Sequence, residues 1–204
     1  PVLVSDIDNA ISVVVGQFYS CALLGTGGVD CWGYNGTGEL GNGTTDHSPT
    51  PVPVDGITNA SAIAGDLSHT CALLATGEVD CWGSDNRGQL GVGTTTGPSV
   101  CNGAPCSATP VAVSRLPKAV GIAAGGYHSC ALLATGGVDW WGYNRYGQLG
   151  DGSISDSAVP VPVVLAAPPA PPVDPGGAGG TGGGVGGEGP GDGQATKIPV
   201  VLVT

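Results

Sequence analysis

Residues 21–43 read CALLGTGGVDCWGYNGTGELGNG. The stretch returns from Cys71 as CALLATGEVDCWGSDNRGQLGVG and from Cys130 as CALLATGGVDWWGYNRYGQLGDG. Pro-Val stands twenty residues before each Cys, at Pro1, Pro51 and Pro110, and once more at Pro160 after the third copy. The units are therefore 1–50, 51–109 and 110–159, and the nine extra residues of the second fall around Gly97 to Ala108, which includes CNGAPC. Self-similarity at such a period marks a repeat architecture, in which each unit is one supersecondary element that buries its apolar face on its neighbours.

Within a unit the pattern is that of short strands divided by turn residues, without a useful 3.6-residue apolar period. Cys-Ala-Leu-Leu is apolar on both faces, as suits a strand covered on both sides. Gly25-Thr26-Gly27, or Ala-Thr-Gly in the other copies, then reads as a three-residue hairpin loop. Such a loop ends on a left-handed residue, which glycine accepts without strain, at Gly27, Gly77 and Gly136. The loop sets the register: Leu23 faces Val29 and Cys21 faces Cys31 at a non-hydrogen-bonded site, where α-carbons approach to about 4.5 Å. A disulfide bridges α-carbons about 4.4–6.8 Å apart, so Cys21–Cys31 and Cys71–Cys81 are expected cross-strand bonds. Cys101–Cys106 is placed to staple the insertion. Cys130 is left as a free thiol because the third copy puts Trp140 at its partner position. Zinc ligands usually sit about two to four residues apart in converging pairs, which nine intervening residues do not match. Three such bonds imply an oxidising compartment, hence an extracytoplasmic protein, secreted or on the cell surface.

Units of about fifty residues with CALL-x-T-G-x-V-x-C-W-G followed by G-Q-L-G resemble regulator of chromosome condensation repeats, in the Cys-containing form of exported bacterial proteins. The resemblance covers residues 1 to about 165. It implies an all-β fold, a β-propeller of four-stranded blades around an axis, of which a full ring in this family has about seven. Three repeats make a partial propeller, so the remaining blades of the same protein are among the expected partners. The closing strand is expected from 160. The exchange activity of the family's eponymous member is not expected to carry over, since nothing here supplies its basic chromatin-contacting segments.

Five Lys and Arg against sixteen Asp and Glu, net −11, exclude a basic patch for nucleic acid. No apolar run of the roughly 18 residues of a membrane span occurs, so no membrane insertion is expected. Residues 166–195 form a Pro- and Gly-rich segment that reads as a disordered linker. KIPVVLVT, Lys197–Thr204, reads as an isolated strand within 196–204, the possible opening of a further domain. The chain begins at Pro1 and is read as part of a longer protein.

No cofactor or metal is expected. Gly36–Gly41 matches GxGxxG literally, but no helix follows to receive a pyrophosphate, so the glycines are turn residues. His69 and His128 recur two residues before a Cys, and Trp32, Trp82 and Trp141 recur at one position of the repeat, as packing residues do. Asp30, Asp80 and Asp139 recur singly and make no close acid pair of the glycosidase kind. The segments after C-W-G vary between copies and carry hot-spot residue types: Tyr34, Asn35, Asp85, Arg87, Tyr143, Arg145 and Tyr146 are the candidate partner-binding residues. The expected function is non-catalytic binding of protein, or of glycan, through these loops. The alternatives are a propeller hydrolase or lyase whose site lies in further blades, and a structural spacer in a large surface protein.

Overall fold

The computed structural model describes residues 2–164, and the linker 166–195 and the strand expected at 196–204 lie outside them. All the described elements are strands, arranged as three antiparallel blades. Blade 1 holds β1 (Ala10–Val15), β2 (Tyr19–Leu24), β3 (Val29–Gly33) and β4 (Ser48–Pro53), hydrogen-bonded in chain order. Blade 2 holds β5 (Ala60–Asp66), β6 (His69–Leu74), β7 (Val79–Ser84), β8 (Ser99–Cys101) and β9 (Ala104–Ala112), ordered β5-β6-β7-β9-β8. Blade 3 holds β10 (Ala119–Gly125), β11 (His128–Leu133), β12 (Val138–Gly142) and β13 (Ser157–Pro162). The chain is thus a partial propeller.

A sequence period has no intrinsic starting point, and the hydrogen-bonded ladder chooses one. The Pro-Val pairs at Pro51, Pro110 and Pro160 lie in the fourth strands β4, β9 and β13. Each blade therefore begins about ten residues after the Pro-Val that opens a sequence unit and takes its last strand from the start of the next.

The β2–β3 register pairs Leu23 with Val29 and Cys21 with Cys31, as the three-residue loop requires. Gly27, Gly77 and Gly136 take φ of +86°, +82° and +89°. The glycine of C-W-G is equally constrained. Gly33, Gly83 and Gly142 have φ of +107°, +100° and +105°, and a Cβ there would fall within 2.6 Å of the Phe18, Ser68 or Tyr127 carbonyl oxygen. The strand bulges at this point, which turns the following loop away from the ladder.

Disulfides join Cys21 to Cys31 and Cys71 to Cys81, with α-carbons 4.1 and 4.0 Å apart, and Cys101 to Cys106 at 5.8 Å. Cys130 is free and half-buried opposite Trp140. Closing a loop of this size stabilises by about 2–3 kcal/mol through the unfolded chain. Replacing Cys71 and Cys81 together by Ser should lower unfolding free energy by that amount in a urea titration. Mass spectrometry of protein denatured without reductant should find one alkylated thiol, at Cys130. The CNGAPC segment is more than a stapled loop. Asn102 and Gly103, both at positive φ, turn β8 into β9 as a two-residue hairpin that widens blade 2.

Blades join through a joint that repeats. Trp82 Nε1 donates to the Glu39 carbonyl (3.0 Å), and Trp141 Nε1 to the Gln89 carbonyl (2.9 Å). Gly41 and Gly91 let the G-x-L-G loop lie against those indoles, where a Cβ would meet the ring within 3.0 Å. The Ala60 and Ala119 amides donate to the Gly27 and Gly77 carbonyls of the preceding blade, both at 2.9 Å. Leu40, Leu90, Trp82 and Trp141 are fully buried by this arrangement. Trp32, at the same repeat position, is only half-buried beside Val15, Phe18 and Ser20. Strand β1 shows solvent Ile11 (66%), Val13 (66%) and Val15 (71%). The recurrence of Trp therefore signals a joint to the preceding blade, and among the described residues Trp32 has none to meet.

Candidate functional site

In blades 1 and 2 the residue two before the repeat Cys ties its blade to the next. The Tyr19 hydroxyl donates to the His69 carbonyl (2.6 Å) and lies 2.9 Å from Thr70 Oγ1. His69 takes the same step into blade 3: Ser129 donates its hydroxyl proton to the Gln89 carbonyl (3.0 Å), so His69 Nε2–H donates to Ser129 Oγ (2.8 Å). His69 Nδ1 is then an unprotonated, buried nitrogen with no partner among the described residues. Burial holds the imidazole down to about 4, so it is neutral at pH 7. Ser129 and His69 are both buried, which makes the pair a tether, closed to substrate. His128, the third member, stacks on Trp140 instead (centroids 5.5 Å apart).

The loop after each C-W-G, or W-W-G in the third copy, is built around the second residue that follows it. Asn35, Asp85 and Asn144 are fully buried, and each accepts the amide of the loop leucine, Leu40, Leu90 or Leu149, at 2.9–3.0 Å. Asn35 Nδ2 also donates to the Thr44 and Asp46 carbonyls, both at 3.0 Å. Asn35 and Asp85, expected among the partner-binding residues, are loop-organising residues instead, because both are fully buried and accept the amide of their own loop leucine. Burial raises the Asp85 carboxyl to about 6 against the pull of the Leu90 amide on Oδ1, and Oδ2 is buried without a hydrogen-bond partner among the described residues.

The remaining candidates lie on the loop ends of the blades. Tyr34 is exposed, stacked on His47 (4.6 Å) and edge-on to Phe18 (6.3 Å). Tyr143 packs edge-on to Tyr127 (6.4 Å) and to Tyr146 (6.2 Å), and Tyr146 is exposed. The Arg87 guanidinium lies 5.2 Å from the Tyr143 ring centroid and 3.7 Å from Asp156. Arg145 flanks a separate shallow depression with Ile154, Ser155 and Asp156.

Alignment by blade shows what these positions build. The bulge brings the residue after C-W-G beside the one immediately before the first residue of β2, β6 or β11, as the amide bonds from Tyr34 to Phe18, Ser84 to Ser68 and Tyr143 to Tyr127 record. Blades 1 and 3 carry an aromatic pair there, and blade 2 carries two serines. The result is a cleft of about 350 Å³ whose lining includes Phe18 and Tyr34 on one side, Tyr127 on the other and Ser68 and Ser84 between. Thr37, Glu39, Leu67, Asn86 and Ala104 complete much of its wall. The insertion hairpin leans over the same region, where Asn102 Nδ2 donates to the Gly36 carbonyl (2.9 Å). Sequence reading passed over Phe18, Leu67, Ser68 and Tyr127, although comparing 18, 68 and 127 across the copies shows the aromatic–serine–aromatic alternation. It also passed over Asn102-Gly103, a strong hairpin signal.

Among the described residues no group of three or more His, Cys, Asp or Glu is gathered as a metal site. A family model described as the regulator of chromosome condensation (RCC1) repeat matches residues 26–73, 76–132 and 136–172. A second model of the same description matches 10–39 and 119–148. Among solved structures, yeast RCC1 (Prp20), in a complex with Kap60, superposes with a TM-score of 0.69 at 21% identity, covering 78% of this chain and 38% of that one. Human WBSCR16 gives 0.66 at 27% identity, covering 77% and 38%. Prp20p from Saccharomyces cerevisiae, in a structure titled with its binding to Gsp1p and histones, gives 0.66 at 22%, covering 78% and 39%. The chain spans less than two-fifths of the length of these structures.

Proposed function

The chain belongs to the regulator of chromosome condensation repeat family, and from that footing we propose that it is an extracytoplasmic, non-catalytic propeller module that binds a protein partner through its aromatic-rimmed cleft. One observation carries the reading: rings on blades 1 and 3 border a serine-floored gap on blade 2, at the loop ends of a rigid scaffold. Exposed aromatics around a concave, part-apolar patch are the residue types that dominate protein–protein binding energy. The titles of the yeast neighbours name protein partners, Kap60, Gsp1p and histones, for those proteins. The three disulfides support an oxidising compartment.

Ser84→Tyr tests the site. Blades 1 and 3 carry Tyr at this position, but Ser84 is buried at the end of β7 opposite Cys106, so the variant is used only once its thermal midpoint is shown to match the parent, and its ring then fills the cleft. A photo-crosslinking residue at Tyr127 should capture a discrete protein set from the secreted or surface fraction, and one at Thr76, in a hairpin at the other end of the strands, should not. Adding Ser84→Tyr should reduce the Tyr127 product about tenfold or more, the loss expected when a central anchor pocket is blocked. Equal capture at Thr76, or capture indifferent to Ser84→Tyr, would remove the cleft from the reading.

A further inference from the structure

The three G-x-L-G loops contain their own control experiment. In each, the side chain before the leucine accepts the backbone amide two residues earlier. Gln89 Oε1 takes Arg87 N (2.8 Å), Gln148 Oε1 takes Tyr146 N (2.9 Å), and Glu39 Oε2 takes Thr37 N (2.7 Å). The loop needs one acceptor oxygen here, and a neutral amide supplies it twice. Copy 1 alone places a carboxylate at this position, and copy 1 is also the one whose residue there lines the cleft. Glu39 is 2% exposed, and burial raises its carboxyl. A charge set at a cost in a buried position that the backbone does not require is a functional indicator. Copy 1 is adapted to hold it. Thr37, where the others have Arg87 and Tyr146, donates its hydroxyl to Glu39 Oε1 (2.6 Å). Two accepted bonds leave lone pairs on both oxygens.

Resting on the cleft as the binding site, we propose that it recognises the guanidinium of an arginine in a basic segment of the protein partner, with Glu39 as counter-charge and the Tyr34, Phe18 and Tyr127 rings as its walls. A delocalised, weakly hydrated guanidinium stacks on ring faces while hydrogen-bonding a carboxylate, which a compact ammonium does less well. The molecule uses the same arrangement internally, where Arg87 lies 5.2 Å from the Tyr143 centroid and 3.7 Å from Asp156 Oδ2. The net charge of −11 favours approach of a basic partner over the whole surface. Thus Glu39 is a specificity-determining residue of a cation site.

The probes are acetyl-Gly-Ser-Arg-Ser-Gly-amide and its citrulline counterpart, which keeps the shape and two of the three nitrogens but carries an oxygen in place of the third and lacks the charge. Each is titrated into the isotope-labelled full chain and followed by amide chemical shifts. The arginine peptide should shift resonances of residues 17–19, 34–39, 67–68, 84–86 and 127, and the citrulline peptide should bind about tenfold more weakly, as for loss of one charge-assisted bond. Glu39→Gln copies the residue of blades 2 and 3, so its thermal midpoint should match or exceed the parent. It should bring the arginine peptide down to the citrulline affinity. Equal binding of the two peptides, or arginine binding unchanged in Glu39→Gln, overturns the inference. If that happens while Ser84→Tyr still abolishes partner crosslinking, the cleft stands as a protein site and only its cation class falls. If Ser84→Tyr leaves crosslinking intact, the site itself is misplaced.

Discussion

Trp82→Ala should cost about 3–5 kcal/mol of unfolding free energy, the range for removing a fully buried indole, with a fall in thermal midpoint of roughly 6–20 °C. The ring is sealed between blades, under the Gly41 loop, and its Nε1–H is the donor to the Glu39 carbonyl. Truncation therefore opens a cavity at a joint and leaves a buried carbonyl without its donor, so little relaxation is available. Trp32→Ala should cost only about 1–2 kcal/mol, because that ring is half-buried and its indole has no loop of a preceding blade to lie against among the described residues. The pair is read by guanidinium titration of the two variants beside the parent. Equal costs would mean that the Trp32 face is already covered in solution, whether by a second copy or by residues outside 2–164. Such a result would also move the midpoint of Trp32→Ala with protein concentration if self-association were the cause.

The second large effect is a cancellation that single variants expose. His69 titrates at about 4 in the fold against an ordinary 6.5. As pH falls below 6.5 the unfolded chain takes a proton that the folded imidazole refuses, so this residue removes stability down to about pH 4. Asp85 runs the other way, at about 6 in the fold against an ordinary 3.8. As pH falls through 6 the folded carboxyl takes a proton before the unfolded one does, so stability is gained until about pH 3.8. Each gap corresponds to about 3 kcal/mol, so between pH 6.5 and 4 the two nearly offset. Asp85→Asn, which installs the residue of the other two loops, should make the chain lose up to about 3 kcal/mol more than the parent between pH 7 and pH 4. His69→Gln, which keeps a donor to Ser129, should shift the profile by about as much in the opposite direction. Urea titrations at half-unit pH steps decide it, read as variant minus parent so that Glu39 and the exposed carboxylates drop out. Parallel profiles for all three proteins would show that neither burial is as complete as the packing indicates.

Those two residues also show how sequence and structure divide the information. His69 and His128 recur, and recurrence alone identifies them as packing residues. Nothing in a single copy shows that the packing runs from one blade to the next, since the partner of His69 is Ser129, sixty residues away. Asn35 and Asp85 vary between copies and sit in loops, which is the profile of a contact residue. Their burial follows from the loop folding back on its own leucine amide, a choice among conformations that composition does not reveal.

What the sequence by itself determined is local and periodic: three repeats of short strands, a three-residue hairpin with its left-handed glycine, and the register that sets Cys21 against Cys31, the propeller form being what the resemblance of the repeat implied. These follow because hairpin pairing is dictated by loop length and a strand's period of two, both readable within a dozen residues. What only the tertiary structure decided is phase and neighbourhood. The ladder assigns the Pro-Val strands to the ends of blades, and stacking brings Phe18, Ser84 and Tyr127 around one cleft. A carboxylate at Glu39 acquires meaning only when that cleft is seen beside it. The physical reason is that blades are tied through long-range bonds between positions 50 to 60 residues apart. The repeat shows which positions correspond, and packing alone shows which positions meet.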